Sequence, residues 1–150
     1  MAVFCGTDII SVTRIKNSIT ELGETFIKRI YTDEEINYCE SKRMCKFQSY
    51  AARFAAKEAM YKAISPENAD YVSWHDLEVV KKKNGKPVAK LTGKLKEEAE
   101  KKGISDEDID ISLSHDDSFA IATVVIKSKK WNEGYINESI NRRSMALRQL

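Results

Sequence analysis

The chain holds 150 residues, 42% of them hydrophobic and 32% charged, with a formal net charge of +2. That is the size and composition of one folded domain with a core of its own, not of a disordered chain. No run of about 18 apolar residues is present, so no membrane-spanning helix is expected. The three cysteines lack C-x-x-C spacing, which speaks against a zinc site or a disulfide framework and for the reducing cytoplasm.

The opening MAVFCGTDII has no basic stretch and carries Asp8, so no signal peptide is expected. Val3 to Ile10 reads as a buried strand, and Ser11 as the cap of a helix with Val12, Ile15 and Ile19 on one stripe. A second helix is expected over Glu21 to Ile30, with Leu22, Phe26 and Ile30 aligned. Thr32 and Glu35 form a capping-box pattern opening a third helix to about Ser41. The longest helix runs from about Cys45 to Ile64 and stops before Pro66.

The second half changes period. Leu77 to Lys83 and Lys86 to Leu91 read as strands joined at Asn84-Gly85, a strong hairpin signal. Thr92 to Lys102 reads as a helix stopped by Gly103. Ile109 to Ser114 and Phe119 to Ile126 read as two more strands around the turn His115 to Ser118. Without regular βαβ alternation, the fold class is α+β, with a largely antiparallel sheet packed on a long central helix. The domain is expected to span 1–126. Residues 127–150 form a basic tail, with six Lys/Arg against two Glu and a helical stripe at Ile136, Ile140 and Leu147.

Two carboxylates stand where apolar groups are expected. Asp8 shares a strand face with Phe4, Gly6 and Ile10, and Glu58 continues the stripe of Phe47, Tyr50, Ala51 and Phe54 towards Lys62. A helix cap for Asp8 and an intrahelical pair with Lys62 for Glu58 are the plain readings. Taken together, two hard-oxygen ligands from different elements suit Mg²⁺, whose shell phosphate oxygens and water complete. A lysine beside them neutralises phosphate. Arg53, Arg43 and Lys46 read either as phosphate partners or as a solvated helix face. His115, closing a strand, reads as a ligand contact or as a structural turn residue.

GTDII (6–10), RFAAKEAMYKA (53–63) and ISLSH (111–115), in that order, resemble the holo-[acyl-carrier-protein] synthase group of 4′-phosphopantetheinyl transferases over about residues 2–126. The resemblance implies transfer of 4′-phosphopantetheine from coenzyme A to a serine of apo acyl carrier protein, releasing adenosine 3′,5′-bisphosphate, in fatty acid biosynthesis. It implies a Mg²⁺-dependent homotrimer with a site at each subunit interface. Asp8 and Glu58 are then metal ligands, and Glu58 and Lys62 the catalytic pair. Coenzyme A is expected to meet Arg53, Lys62, the hairpin Asn84, Gly85, Lys86 and Pro87, and His115. Arg14, Lys16, Lys28 and Arg29 are expected to face the carrier protein. The family's glycine-bearing turn after the long helix is replaced here by SPENADYVSW (65–74). A non-catalytic coenzyme A-binding module is the alternative. A nucleic-acid or membrane partner is not expected, since the body lacks aromatic–basic interleaving.

Overall fold

The computed structural model describes residues 1–66 and 71–130. Its elements are β1 (Ala2–Ser11), α1 (Val12–Leu22), α2 (Glu24–Ile30), α3 (Asp33–Ser41), α4 (Lys46–Ile64), β2 (Leu77–Lys81), β3 (Pro87–Leu91), α5 (Gly93–Lys101), β4 (Ile109–His115) and β5 (Phe119–Ser128). The strands form an antiparallel three-stranded sheet in the order β1-β5-β4 and a separate β2-β3 hairpin. The expected α+β class is what is found, with every strand pairing among the described residues antiparallel.

Helix α4 is the centre. Its alanines Ala51, Ala52, Ala55, Ala56, Ala59 and Ala63 are buried, and it packs on β1 and β5. The facing strands answer with small residues, Gly6 on β1 and Ala120 and Ala122 on β5. The approach is so close that a Cβ at Gly6 would lie 1.9 Å from the Ala59 carbonyl oxygen. Glycine in this strand therefore serves contact with another backbone.

The sequence reading needs four boundary changes, the last of them at the end of β5. Helix Glu21 to Ile30 is broken at Gly23, whose φ of 58° ends α1 and whose N–H reaches the Ile19 carbonyl. Leu22 is left exposed, so the apparent shared stripe was not one helix face. The hairpin strands stop at Lys81 and restart at Pro87. Lys82 and Lys86 still bond, so the connection is the three residues Lys83, Asn84 and Gly85, with Gly85 at positive φ. His115 belongs to β4, opposite Ala120, and not to the turn.

Strand β5 continues past the expected boundary at 126. Ser128 is buried and donates to the Lys102 carbonyl, while Lys129 N–H donates to the Gly103 carbonyl. The helical stripe expected at Ile136, Ile140 and Leu147 lies outside the described residues, as does the middle of the loop at 65–74.

Candidate active site

The inward face of β1 carries Phe4, Gly6, Asp8 and Ile10, the alternation expected of a strand with one buried face. Because Gly6 rests on Ala59, Asp8 comes to lie beside the last turns of α4. There Lys62 donates to Asp8 Oδ1 at 2.7 Å and to the Thr7 carbonyl at 3.2 Å. The plain readings give way here. Ser11, not Asp8, caps α1, and Lys62 hydrogen-bonds across to β1 rather than to Glu58.

Glu58 sits one turn before Lys62 and is half-buried. Burial first, then the Asp8 charge, push its carboxyl above the usual range, and Lys62 only partly opposes this. The Lys62 ammonium is pushed up, chiefly by its bond to Asp8. Two carboxylates that repel one another in a partly desolvated place suit a divalent cation, which would offset both effects. Among the described residues no cluster of three or more His, Cys, Asp or Glu side chains is placed to hold a metal unaided. A cation on Asp8 and Glu58 therefore needs oxygens from substrate or water.

A cavity of about 340 Å³ opens beside Glu58, walled by Tyr61, Val72, Trp74, Leu77 and Leu95. Trp74 stacks on Phe54 with ring centroids 5.2 Å apart. At the end of α4, Ser65 takes the left-handed conformation (φ 46°, ψ 68°), and Lys102 donates to the Ile64 and Ser65 carbonyls. Serine thus holds a left-handed conformation that glycine adopts at no steric cost.

The other expected residues lie apart. Arg53 is only 2% exposed and stacks over the Tyr38 ring at 3.9 Å, on a different face of α4 from Glu58 and Lys62. Its Nε finds no hydrogen-bond partner among the described residues. Asn84, Gly85 and Lys86 are exposed at the hairpin with Pro87 half-buried, and Lys86 pairs with Asp110 at 2.8 Å. His115 is exposed on the same sheet face as Asp8. It lies two strands across and two residues along, roughly 12 Å away in Cα position. Arg14 and Lys16 are exposed on α1, which leaves β1 just after Asp8; Lys28 and Arg29 are exposed on α2, Lys28 paired with Glu24.

Sequence reasoning missed a second charged pair. Lys57 and Glu35 meet at 2.9 Å with side chains 2% and 0% exposed. The signal was present, since Lys57 lies inside RFAAKEA and Glu35 inside the capping box, but each had an ordinary surface role to fill.

Residues 4–124 match the sequence profile described as the 4′-phosphopantetheinyl transferase superfamily. A holo-[acyl-carrier-protein] synthase from Ruminiclostridium cellulolyticum is 44% identical over 126 residues, 84% of this chain and 92% of that protein. The crystal structure of the Helicobacter pylori holo-[acyl-carrier-protein] synthase in complex with coenzyme A aligns with a TM-score of 0.70 at 32% identity, covering 82% of this chain and 99% of that one. The Bacillus anthracis enzyme, in complex with coenzyme A (3′,5′-ADP), aligns at 0.67 and 31% identity, covering 85% and 100%. With its site on the seam of β1 and α4 inside the matched span, the chain belongs to the 4′-phosphopantetheinyl transferase superfamily.

Proposed function

We propose that this chain is a holo-[acyl-carrier-protein] synthase. It transfers 4′-phosphopantetheine from coenzyme A to a serine of apo acyl carrier protein, the step that arms the carrier for fatty acid synthesis. The observation that carries this reading is the convergence of Asp8, Glu58 and Lys62 at the end of α4, in a chain alike over most of its length to synthases solved with coenzyme A.

The serine oxygen forms the new P–O bond at the phosphorus bearing the pantetheine arm. The bond to the other phosphate breaks, and adenosine 3′,5′-bisphosphate leaves. Asp8 and Glu58 are the residues to hold Mg²⁺, which when bound supplies charge neutralisation of the pyrophosphate. Lys62, held by Asp8 and half exposed to incoming ligand, donates to the departing phosphate oxygen. Glu58, at the cavity rim, receives the serine proton through a water. No nucleophile is required of this chain, so its work is alignment and electrostatics.

Arg53, the hairpin 84–87 and His115 are proposed for the nucleotide end of coenzyme A, and their separation from Asp8 within one subunit is the reason to place the site between subunits. The outer sheet face supports a homotrimer, because Val3, Ile9, Phe119, Ile121 and Val125 are all exposed on β1 and β5. Arg14 and Lys16, with Lys28 and Arg29, offer a basic surface to an acidic carrier. Cytoplasmic location follows the three free thiols, and no described helix is long and apolar enough to cross a membrane. The working domain extends through the end of β5 at Ser128 rather than stopping at 126.

The test is incubation with coenzyme A, Mg²⁺ and apo acyl carrier protein. A carrier mass gain of one phosphopantetheine is expected, and no gain would sink the reading in favour of a binding module. Arg14→Glu is expected to raise KM for the carrier and leave that for coenzyme A unchanged. Sedimentation of the full chain is expected to give three subunits.

A further inference from the structure

The Lys57–Glu35 pair is fully satisfied. Lys57 Nζ donates to Glu35 Oε2, to the Trp74 carbonyl at 2.7 Å and to the Leu77 carbonyl. Glu35 in turn accepts from Thr32 N–H at 3.0 Å and Val79 N–H at 2.9 Å. Three ammonium donors and two carboxylate oxygens thus join α4, the start of α3 and both sides of the entry into β2.

A buried ion pair is a weak source of stability, because desolvating two charges offsets most of their attraction. What it does fix is geometry. Apolar side chains hold neighbours at a distance, whereas hydrogen bonds to particular carbonyls hold them in register. The carbonyls in question belong to Trp74 and Leu77, which wall the cavity beside Glu58. Lys57 directly precedes Glu58 on α4, so the bond that pins the wall springs from the residue beside the carboxylate it faces.

We infer that Lys57 and Glu35 are a positioning pair for the transfer reaction, holding the Trp74–Leu77 wall at a set distance and register from Glu58. This rests on the transferase reading above. Lys57 itself lines that cavity, but its ammonium is committed to Glu35 and to the Trp74 and Leu77 carbonyls; the pair acts by holding the cavity to the shape in which Glu58 and the incoming phosphate are aligned.

The test uses Trp74 as reporter in a Trp131→Phe background, where it is the sole tryptophan. Lys57→Met strands a buried carboxylate and destabilises the chain, so Glu35→Gln/Lys57→Met, which removes both charges, is the working variant. Below its melting midpoint, acrylamide quenching of Trp74 is expected to rise by about twofold as the wall loosens. The kcat for carrier modification is expected to fall about tenfold or more while KM for the carrier stays unchanged, since the basic docking residues proposed above lie on α1 and α2 and not on the wall. Unchanged quenching would overturn the claim that the pair sets the wall. Increased quenching with unchanged kcat would overturn the claim that the wall matters to transfer. If the parent chain transfers nothing, the transferase reading falls, and the quenching measurement still decides whether the pair holds the wall.

Discussion

Two of the lysine–carboxylate pairs on helix α4, Lys62–Asp8 and Lys57–Glu35, lie on different faces and differ in almost every physical respect. Lys62 and Asp8 meet at 2.7 Å with the lysine half exposed, whereas Lys57 and Glu35 meet at 2.9 Å with both side chains out of water. Their ammonium groups shift in opposite directions. Lys62 is raised by its bond to Asp8, while desolvation lowers Lys57 despite Glu35 beside it. The same two residue types at similar distances thus make a solvated pair that a ligand can reopen and a dry pair that holds backbone together.

The comparison breaks hardest at the buried pair. Lys57→Met leaves Glu35 uncompensated and is expected to cost about 3–5 kcal/mol of unfolding free energy. Lys62→Met should cost less than about 1 kcal/mol, because an exposed pair contributes little. Denaturant unfolding of the two variants measures the difference, and equal losses would erase the distinction.

Chemistry should show the reverse order. Asp8→Asn and Glu58→Gln are expected to lower transfer by about a hundredfold or more, near 2.7 kcal/mol of transition-state stabilisation. Their folds should survive. Glu58 is raised by burial and by Asp8, so its ionised form costs more in the folded state than in the unfolded chain. Stability from this group is present below the ordinary glutamate value of about 4.3 and is lost as pH rises through the folded value. Without divalent metal, Glu58→Gln should therefore match or exceed the parent melting temperature at pH 7, with the advantage closing under acid. A lower midpoint at pH 7 would contradict the repulsion assigned to Asp8.

Gly6→Ala tests how the solvated pair is brought together. The added methyl meets the Ala59 carbonyl, so β1 and α4 must separate, at about 1–3 kcal/mol. Turnover should drop with stability, because Asp8 moves with β1 while Glu58 and Lys62 stay on α4. The smallest expected effect is at Ser65. Serine at φ 46° is strained, so Ser65→Gly should raise stability by up to about 1 kcal/mol. A fall in melting temperature would show that the serine hydroxyl compensates for the strain.

Much of this was legible along the chain because it is local. Ser11 and Thr32 cap the helices they precede, period-two alternation in β1 placed Asp8 on the inner face, and Asn84-Gly85 marked the hairpin. The break at Gly23 was hidden by Leu22, whose spacing fits a helical stripe although its side chain faces water. Asp8 and Glu58 stood out as charges at apolar positions, with Lys62 one turn beyond Glu58, a conflict visible in one dimension.

The tertiary structure alone decided which charges meet. Glu35 is separated from Lys57 by the end of α3 and half of α4, and no spacing rule joins them. Arg53, Lys57 and Glu58 share one helical motif, yet the helix turns about 100° per residue and sends them to different neighbours: Tyr38, Glu35 and the Asp8 seam. Sequence determines residue type and local period. Burial, and therefore whether a lysine is a ligand contact or a strut, depends on what packs against it from far along the chain.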